Sequence, residues 1–250
     1  MSGIFNQFHQ PVGMTLSDWK GAPFPQAQQI TGRYCKLERI NAERHAKELY
    51  EAYSEASDCR DWTYLAVGPF ETFDTFQDYV KKMEEQTDPM HFAVIDLTSM
   101  KPVGTFALMR IDPSNGVIEV GHVSYSVRMK RSRISTEVIS LLLKYVFEDL
   151  GYRRFEWKCD ALNAPSRGAA ERFGFSFEGI FRQAVVTRGR NRDTAWYSII
   201  DGEYPSLRPA YDMWLDERNF DNQGRQIRRL GELMERDKKA PRINRGSQKA

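Results

Sequence analysis

The segment NAPSRGAAERFGF, residues 163–175, constrains the fold most, because it encodes a short helix that leads directly into another element. Asn163 is a preferred helix cap, Pro165 fits a first turn, and Gly174 favours the left-handed conformation that ends a helix. The alanines and the phenylalanine near its end leave one side of this helix small and apolar. A flat or narrow ligand can therefore lie along it, although an ordinary connection between a helix and a strand has the same pattern.

The pattern of apolar residues elsewhere predicts the order β, α, α, β, β, β, α, β, α, β, β, followed by further helix. The turn at Asn115-Gly116 joins two of three consecutive strands, which we expect to form an antiparallel meander. The predicted strands cover residues 34–40, 91–97, 103–111, 117–127, 154–159, 177–187 and 193–201. The predicted helices cover residues 41–57, 72–85, 136–150, 163–173 and 207–215.

Composition excludes several classes of protein. The chain has 250 residues, 41% of them hydrophobic, which is enough for a sizeable core. Its three cysteines are far apart and form no C-x-x-C pair, so we expect neither a disulfide framework nor a zinc site. The four histidines have no metal-ligand spacing, and no metal is expected. With no signal peptide and no membrane-length apolar run, the predicted location is the cytoplasm.

Charge is distributed unevenly along the chain. The formal net charge is +2, yet residues 225–250 contain nine Lys/Arg and three Asp/Glu. We interpret this basic tail as a solvated terminus. Nucleic-acid binding through the tail is the alternative, which the absence of interleaved aromatic residues disfavours.

Two motifs together resemble the GNAT superfamily of acetyl-CoA-dependent N-acetyltransferases. The first is N-x-x-S followed by A-x-x-x-G-F, which begins at Asn163 and includes Ser166. The resemblance implies an α/β (α+β) fold in which a mixed, mostly antiparallel sheet with one splayed parallel pair is flanked by helices. It also implies acetyl-CoA as the acyl donor and, by similarity to the ribosomal-protein branch, an N-terminal Ala or Ser amine as one acceptor.

The second motif covers residues 130–137, at the start of the predicted helix 136–150. In this position the family has a phosphate-binding Q/R-x-x-G-x-G/A loop. Here Arg133 and Ser135 replace the glycine and the small residue, so the close backbone approach that glycine allows is absent. Cations in the loop can compensate by contacting phosphates directly, whereas a solvated basic turn is the alternative. The resemblance implies that the donor is bound by Lys130, Arg131, Ser132, Arg133, Ile134, Ser135 and Thr136.

The strand from residue 117 to 127 is the second element of the predicted site. Strict alternation puts Glu119 and His122 on opposite faces, unless the strand bulges at Gly121. The family resemblance implies such a bulge, together with a gap towards the next parallel strand that admits the pantetheine arm beside Val123. It implies Glu119 as the first candidate for the general base and His122 as the second. A surface carboxylate and a half-buried structural imidazole are the alternatives.

Three further residues complete the predicted site. By its position in the N-x-x-S motif, Ser166 is the candidate proton donor or hydrogen-bond partner for the departing sulfur. Asn163 is expected to bind the pantetheine amides or to act as a plain helix cap. Asp193 resembles an acidic family residue that orients the acceptor amine.

The sequence thus predicts an irregular arm over residues 1–30, an acetyltransferase domain over 31–205 and a basic helical extension over 206–250. The predicted reaction is acetyl transfer from acetyl-CoA to a primary amine. A small amine such as a polyamine or an aminoglycoside is an alternative acceptor to a protein N-terminus. A second alternative is an acyl-CoA-binding module with weak turnover.

Overall fold

The computed structural model describes residues 4–239 and contains one large sheet between helices. Its strands are β1 (Ile4–Phe5), β2 (Pro11–Val12), β3 (Gln29–Thr31), β4 (Cys35–Arg39), β5 (Met90–Asp96), β6 (Lys101–Asp112), β7 (Val117–Tyr125), β8 (Arg154–Asp160), β9 (Ser176–Thr187) and β10 (Arg190–Ile200). Its helices are α1 (Ala42–Ser54), α2 (Phe73–Glu85), α3 (Arg133–Lys144), α4 (Ala164–Arg172), α5 (Tyr204–Leu215) and α6 (Leu230–Lys239). Short helical turns lie at Arg60–Trp62, Tyr145–Asp149 and Glu217–Asn219.

The sheet has eight strands in the order β3-β4-β5-β6-β7-β8-β10-β9. Every neighbouring pair is antiparallel except β7 and β8, which run parallel. This confirms the predicted mixed sheet, the meander and the terminal hairpin. Strands β1 and β2 form a separate small hairpin within the predicted N-terminal arm.

Helices cover both faces of the sheet. A smaller core lies between α1, α2 and one face, where Leu49, Phe76 and Val80 are buried. The larger core lies on the opposite face and includes residues of α3, α4, α5 and α6. The aromatic residues of α2 therefore contribute to this core.

Local sequence signals fix most helix ends. The side chain of Asn41 accepts a hydrogen bond from the Arg44 amide at 2.9 Å and caps α1. Asn163 caps α4 in the same way, accepting from the Ser166 amide at 3.1 Å, and Gly174 follows the helix with φ +88°. Helix α3 differs from the prediction, because it begins at Arg133 rather than at Thr136.

The domain division at residues 30/31 and 205/206 stays a prediction. Strand β3 crosses the first boundary and pairs with β4 at the edge of the sheet. The extension contains α5, an ordered loop and α6 up to Lys239. The last residues of the predicted basic tail, 240–250, lie outside the described residues.

Candidate active site

A bulge in β7 places two candidate catalytic residues on one face of the sheet. Ala107 pairs with Gly121 and Thr105 pairs with Ser124. The two pairs are therefore two residues apart on β6 but three residues apart on β7. The extra residue is His122, whose backbone lies in the left-handed region with φ +49°. This confirms the bulge that was predicted at Gly121.

The shared face follows from the strand register. His91 pairs with Ala107, which pairs with Gly121, and directly paired residues project to the same side of a sheet. The ring of His122 packs edge-on against that of His91, with centroids 5.2 Å apart. Glu119 lies two residues before Gly121 and therefore projects to this face too. The bulge thus removes the alternation that would have separated Glu119 from His122.

The parallel strands separate immediately after this point. The paired residues of β7 and β8 end with Val120 opposite Trp157, whereas β7 continues to Tyr125 and β8 to Asp160. The separation leaves a wedge between the strands, which is the opening that the family resemblance implied. A wedge of this kind exposes backbone groups that are otherwise used in strand pairing.

A large cleft of about 1180 Å³ opens at the wedge. Its volume is slightly above the usual range for small-molecule sites. The cleft is lined by eight of the predicted site residues: Val123, Lys130, Arg131, Ser132, Arg133, Ser135, Asn163 and Ser166. Two residues of the predicted phosphate-binding loop do not line it. Ile134 belongs to the larger core, and Thr136 is fully buried, with its hydroxyl accepting a hydrogen bond from Arg172 at 2.9 Å.

The basic loop before α3 adopts a conformation that accounts for its lack of glycine. Arg133 occupies the family's glycine position, and it is already the first residue of the helix. The left-handed backbone conformation lies instead at Arg131, with φ +58°. An arginine at position 133 therefore requires no unusual φ, and its long side chain is free to turn away from the helix end.

The cations of this loop have different surroundings. The ammonium of Lys130 pairs with the Asp61 carboxylate. The guanidinium of Arg133 lies 3.8 Å from the centroid of the Phe220 ring and 5.4 Å from that of Tyr34. Together with the amino end of α3, these cations make this side of the cleft favourable for an anion.

The bottom of the cleft contains groups that can bind a polar chain. The Trp157 indole donates a hydrogen bond to the Ser166 hydroxyl at 3.0 Å. Tyr125 lines the cleft, and its buried hydroxyl has no hydrogen-bond partner among the described residues. A buried unpaired hydroxyl is costly, so it fits a ligand that supplies the missing partner. Tyr125 was not predicted as a site residue, although it lies within the predicted strand 117–127, after the bulge.

A second, aromatic cavity lies on the α1 and α2 side of the wedge. It is lined by Tyr53, Trp62, Leu65, Phe76, Tyr79, His122, Ser124 and neighbouring residues. Leu65 and Ser124 also line the large cleft, so the two spaces meet at these residues. The Tyr53 hydroxyl lies 3.1 Å from both the Ser124 carbonyl oxygen and the Thr105 hydroxyl. Tyr53 and Trp62 were not predicted as site residues, because no motif contains them.

Glu119 is a buried carboxylate rather than a surface charge. Its side chain is 5% exposed and lies 2.9 Å from the Lys158 ammonium and 3.5 Å from Arg110 Nε. Burial raises the pKa of Glu119, and the two cations oppose this effect. Lys158 also pairs with Glu156 at 2.6 Å and lies 3.8 Å from the Trp196 ring centroid. Glu119 lines neither the cleft nor the aromatic cavity.

His122 borders the aromatic cavity directly. His122 is an exposed residue, yet partial desolvation of its ring, reinforced by the positive charge of Arg110, lowers its pKa. The imidazole is therefore neutral at pH 7 and able to accept a proton.

Asp193 is held within the β9–β10 hairpin. Its carboxylate accepts hydrogen bonds from the Gln183 amide at 2.7 Å and from the Asn191 side chain at 3.0 Å. These bonds lower the pKa of Asp193. Asp193 lines neither the cleft nor the aromatic cavity. The structure therefore does not bring it together with the other candidate residues.

Comparison with known proteins agrees with this geometry. A family model for the acetyltransferase (GNAT) domain matches residues 36–176. The chain belongs to the GNAT superfamily. This GNAT acetyltransferase is 47% identical to a GCN5-related N-acetyltransferase from Brucella melitensis of known structure, with a TM-score of 0.86 over 88% of this chain and 100% of that one.

Two curated relatives come from Bacillus. The uncharacterized N-acetyltransferase p20 of Bacillus licheniformis is 23% identical over 177 residues, which cover 67% of this chain and 99% of the relative. A Bacillus subtilis protein provisionally named as a ribosomal N-acetyltransferase is 29% identical over 101 residues, covering 40% of this chain and 55% of the relative.

Two further structural findings concern only residues 4–239. In this range no helix has both the length and the apolar character that a bilayer crossing requires. The same residues contain no group of three or more His, Cys, Asp or Glu side chains suited to holding a metal ion.

Proposed function

We propose that this enzyme transfers an acetyl group from acetyl-CoA to a primary α-amine, with a protein or peptide amino terminus as the acceptor. The observation that supports this proposal most strongly is the meeting of the two spaces at the wedge. Leu65 and Ser124 border both the large cleft and the aromatic cavity. The aromatic cavity has a volume of only about 30 Å³, which is room for one small group. Only the reacting amine of an acceptor would therefore occupy it, and this amine would meet a donor in the cleft at the end of the β7–β8 pairing.

The proposed donor site uses the basic side of the cleft. The amino end of α3 and the side chain of Arg131 would hold the pyrophosphate. Asn163 and the unpaired Tyr125 hydroxyl would bind amide groups of the pantetheine arm, and a free backbone N–H of β7 beyond the bulge would polarise the thioester carbonyl.

The reaction requires one proton to leave the amine and one to reach the sulfur. The amine nitrogen forms a bond to the acetyl carbon, and the bond between that carbon and sulfur breaks. His122 would accept the amine proton in the cavity, or Glu119 would accept it through water. Ser166 would hydrogen-bond the departing thiolate, which takes up a proton. An α-amine has a pKa near 8, so it needs little help to become neutral at pH 7.

The lining of the aromatic cavity favours this class of acceptor. Among the described residues that line it there is no carboxylate, and its walls are mainly aromatic and aliphatic. The cavity, of about 30 Å³, admits little more than the reacting amine, and that amine must be neutral there because it gains no ionic partner. An α-amine, with a pKa near 8, loses its proton at pH 7 more easily than an alkyl amine such as that of lysine, with a pKa near 10.4. An amino-terminal residue with a small side chain carries a single ionisable amine. The provisional name of the Bacillus subtilis relative is consistent with this class.

The proposal can be tested by measuring thiol release from acetyl-CoA with a panel of acceptors. The panel contains peptides that begin with Ala or Ser, the same peptides with a blocked amino terminus and a free lysine, and spermidine. We expect turnover with the free α-amines, and at least tenfold less with the blocked peptides and spermidine. Preference for spermidine or for the lysine amine would refute the acceptor assignment.

The same assay addresses the alternative of a binding module. Titration calorimetry measures acetyl-CoA binding separately from turnover. Binding without thiol release on any acceptor would support the module instead of the enzyme.

A further inference from the structure

The loop between α5 and α6 forms a wall of the donor cleft that the family domain does not supply. The matched GNAT domain ends at residue 176, whereas this wall comes from residues 220–232. Phe220, Arg225, Ile227 and Arg229 all line the cleft, facing the basic loop before α3. The extension is therefore part of the cleft in this protein.

This loop has a defined conformation. The buried side chain of Asn219 donates to the Trp214 and Arg228 carbonyls and accepts from the Arg228 amide at 3.0 Å. The Trp214 indole donates to the side chain of Gln226 at 2.9 Å, and Phe220 forms a β-bridge with Gln226. Leu230, Leu233 and Met234 of α6 are buried in the larger core. Side chains on the loop are thus presented from a fixed backbone.

Cations are in excess around the cleft. Its lining contains seven cationic side chains and two carboxylates: Arg60, Lys130, Arg131, Arg133, Arg172, Arg225, Arg229, Asp61 and Glu232. The carboxylates are already engaged, since Asp61 pairs with Lys130 and Glu232 accepts a hydrogen bond from the Arg229 amide at 3.2 Å. A pyrophosphate beside α3 would use only the cations of that loop.

Two arginines of the extension have donors to spare. Arg225 uses Nε to bind the Asp221 carboxylate at 2.8 Å, and its terminal nitrogens have no partner among the described residues. The guanidinium of Arg229 likewise has no partner among the side chains of residues 4–235, and Arg229 precedes the amino end of α6. A guanidinium matches the geometry of phosphate oxygens and can bind two of them at once.

We propose that Arg225 and Arg229 bind the 3′-phosphate on the ribose of coenzyme A. This inference rests on the proposed acetyl-CoA donor. A phosphate monoester carries between one and two negative charges at pH 7, and it is the anionic group of the donor that the loop before α3 leaves unmatched. Glu232 already caps the amino end of α6, so the contact depends on the two guanidinium groups. The exposed side chain of Ile227, between the two arginines, offers an apolar surface to the adjacent adenine.

Titration calorimetry with coenzyme A and with 3′-dephospho-coenzyme A separates this contact from the rest of the site. The variants are Arg229→Gln and the double variant Arg225→Gln/Arg229→Gln. Arg218→Gln is the matched control, because Arg218 is on the same extension, is 91% exposed and pairs with Asp216 outside the cleft.

We expect the wild-type enzyme to bind coenzyme A more tightly than the dephospho form. Loss of charged hydrogen bonds predicts about 10- to 100-fold weaker binding of coenzyme A in the double variant. Affinity for the dephospho form should stay within about threefold, which also shows that the site is folded. Arg229→Gln should give a smaller loss of the same kind, and Arg218→Gln none.

Equal wild-type affinities for the two nucleotides would overturn the inference while leaving the proposed donor intact. So would an Arg229→Gln variant that weakens both nucleotides equally or neither. If the wild-type enzyme binds neither nucleotide, the proposed donor itself is wrong, and this inference is wrong with it.

Discussion

A buried carboxylate on α3 binds the turn between β3 and β4 at the edge of the sheet. Its replacement should destabilise the protein strongly. Glu137 of α3 is 4% exposed. Its two oxygens accept hydrogen bonds from the backbone amides of Arg33, Tyr34 and Cys35 at 2.7, 2.8 and 2.7 Å. Gly32 fits this arrangement closely, because an added Cβ would lie 2.6 Å from the Glu137 carboxyl carbon. One side chain thus fixes the turn between β3 and β4.

Glu137→Gln changes this site without changing its size. A glutamine has one acceptor oxygen, so it can keep the two bonds that Oε2 accepts, in a weaker neutral form. Its NH₂ group then faces the Arg33 amide, which is left without an acceptor. Weakening two charged bonds and leaving one partly buried donor unpaired costs about 3–5 kcal/mol of unfolding free energy.

Thermal unfolding followed by circular dichroism measures this effect. For a chain of this size, we expect the Tm to fall by about 6–20 °C. Glu217→Gln is the matched control, because Glu217 is 67% exposed and pairs with the Arg33 side chain at 3.0 Å. An exposed pair contributes little, so the control should stay within about 2 °C of wild type. A Glu137→Gln variant as stable as that control would refute the assigned role of the three hydrogen bonds.

Three further predictions concern titratable groups on the α1 and α2 side of the sheet. If Glu119 is the base, Glu119→Gln should lower kcat roughly 10²–10⁴-fold and leave donor affinity unchanged in calorimetry; unchanged kcat would exclude it. If His122 is the base, kcat/KM should fall in acid with an apparent pKa below 6.5, because the pKa of His122 is lowered. His122→Gln should abolish this fall in kcat/KM. A fall that persists in the variant would assign the titration to another group. Burial, with the charges of His122 and Arg39, lowers the pKa of His91 to about 3, so the unfolded chain binds more protons between pH 3 and 6.5. Unfolding free energy should therefore fall by about 2 kcal/mol from pH 7 to pH 5, measured by urea denaturation, and His91→Gln should remove most of this slope; an equally steep slope in that variant would contradict the assignment.

Much of the fold could be predicted from local sequence. The caps at Asn41 and Asn163 and the left-handed glycine at position 174 lie where helices begin and end. These signals act within a few residues, and local preference and tertiary packing agree there. The bulge was expected only from the family resemblance, because Gly121 permits a bulge without requiring one.

The candidate site was predictable only in part. Residues that belong to a motif, such as Ser166 and Arg131, line the cleft as expected. Tyr53 and Trp62 border the aromatic cavity, but they come from α1 and the turn after it, without a motif of their own. Their role depends on where the helix packs against the sheet.

By itself, the sequence determined the order of helices and strands and the motifs that resemble the superfamily, because each depends on residues that are close along the chain. Only the tertiary structure decided which charges meet. It buried Glu119 against Lys158 of the neighbouring strand, stacked Arg133 on Phe220 and placed Arg225 beside the donor cleft. These partners are 39 or more residues apart in sequence, and their contact arises only when the sheet and its covering helices close around a common core.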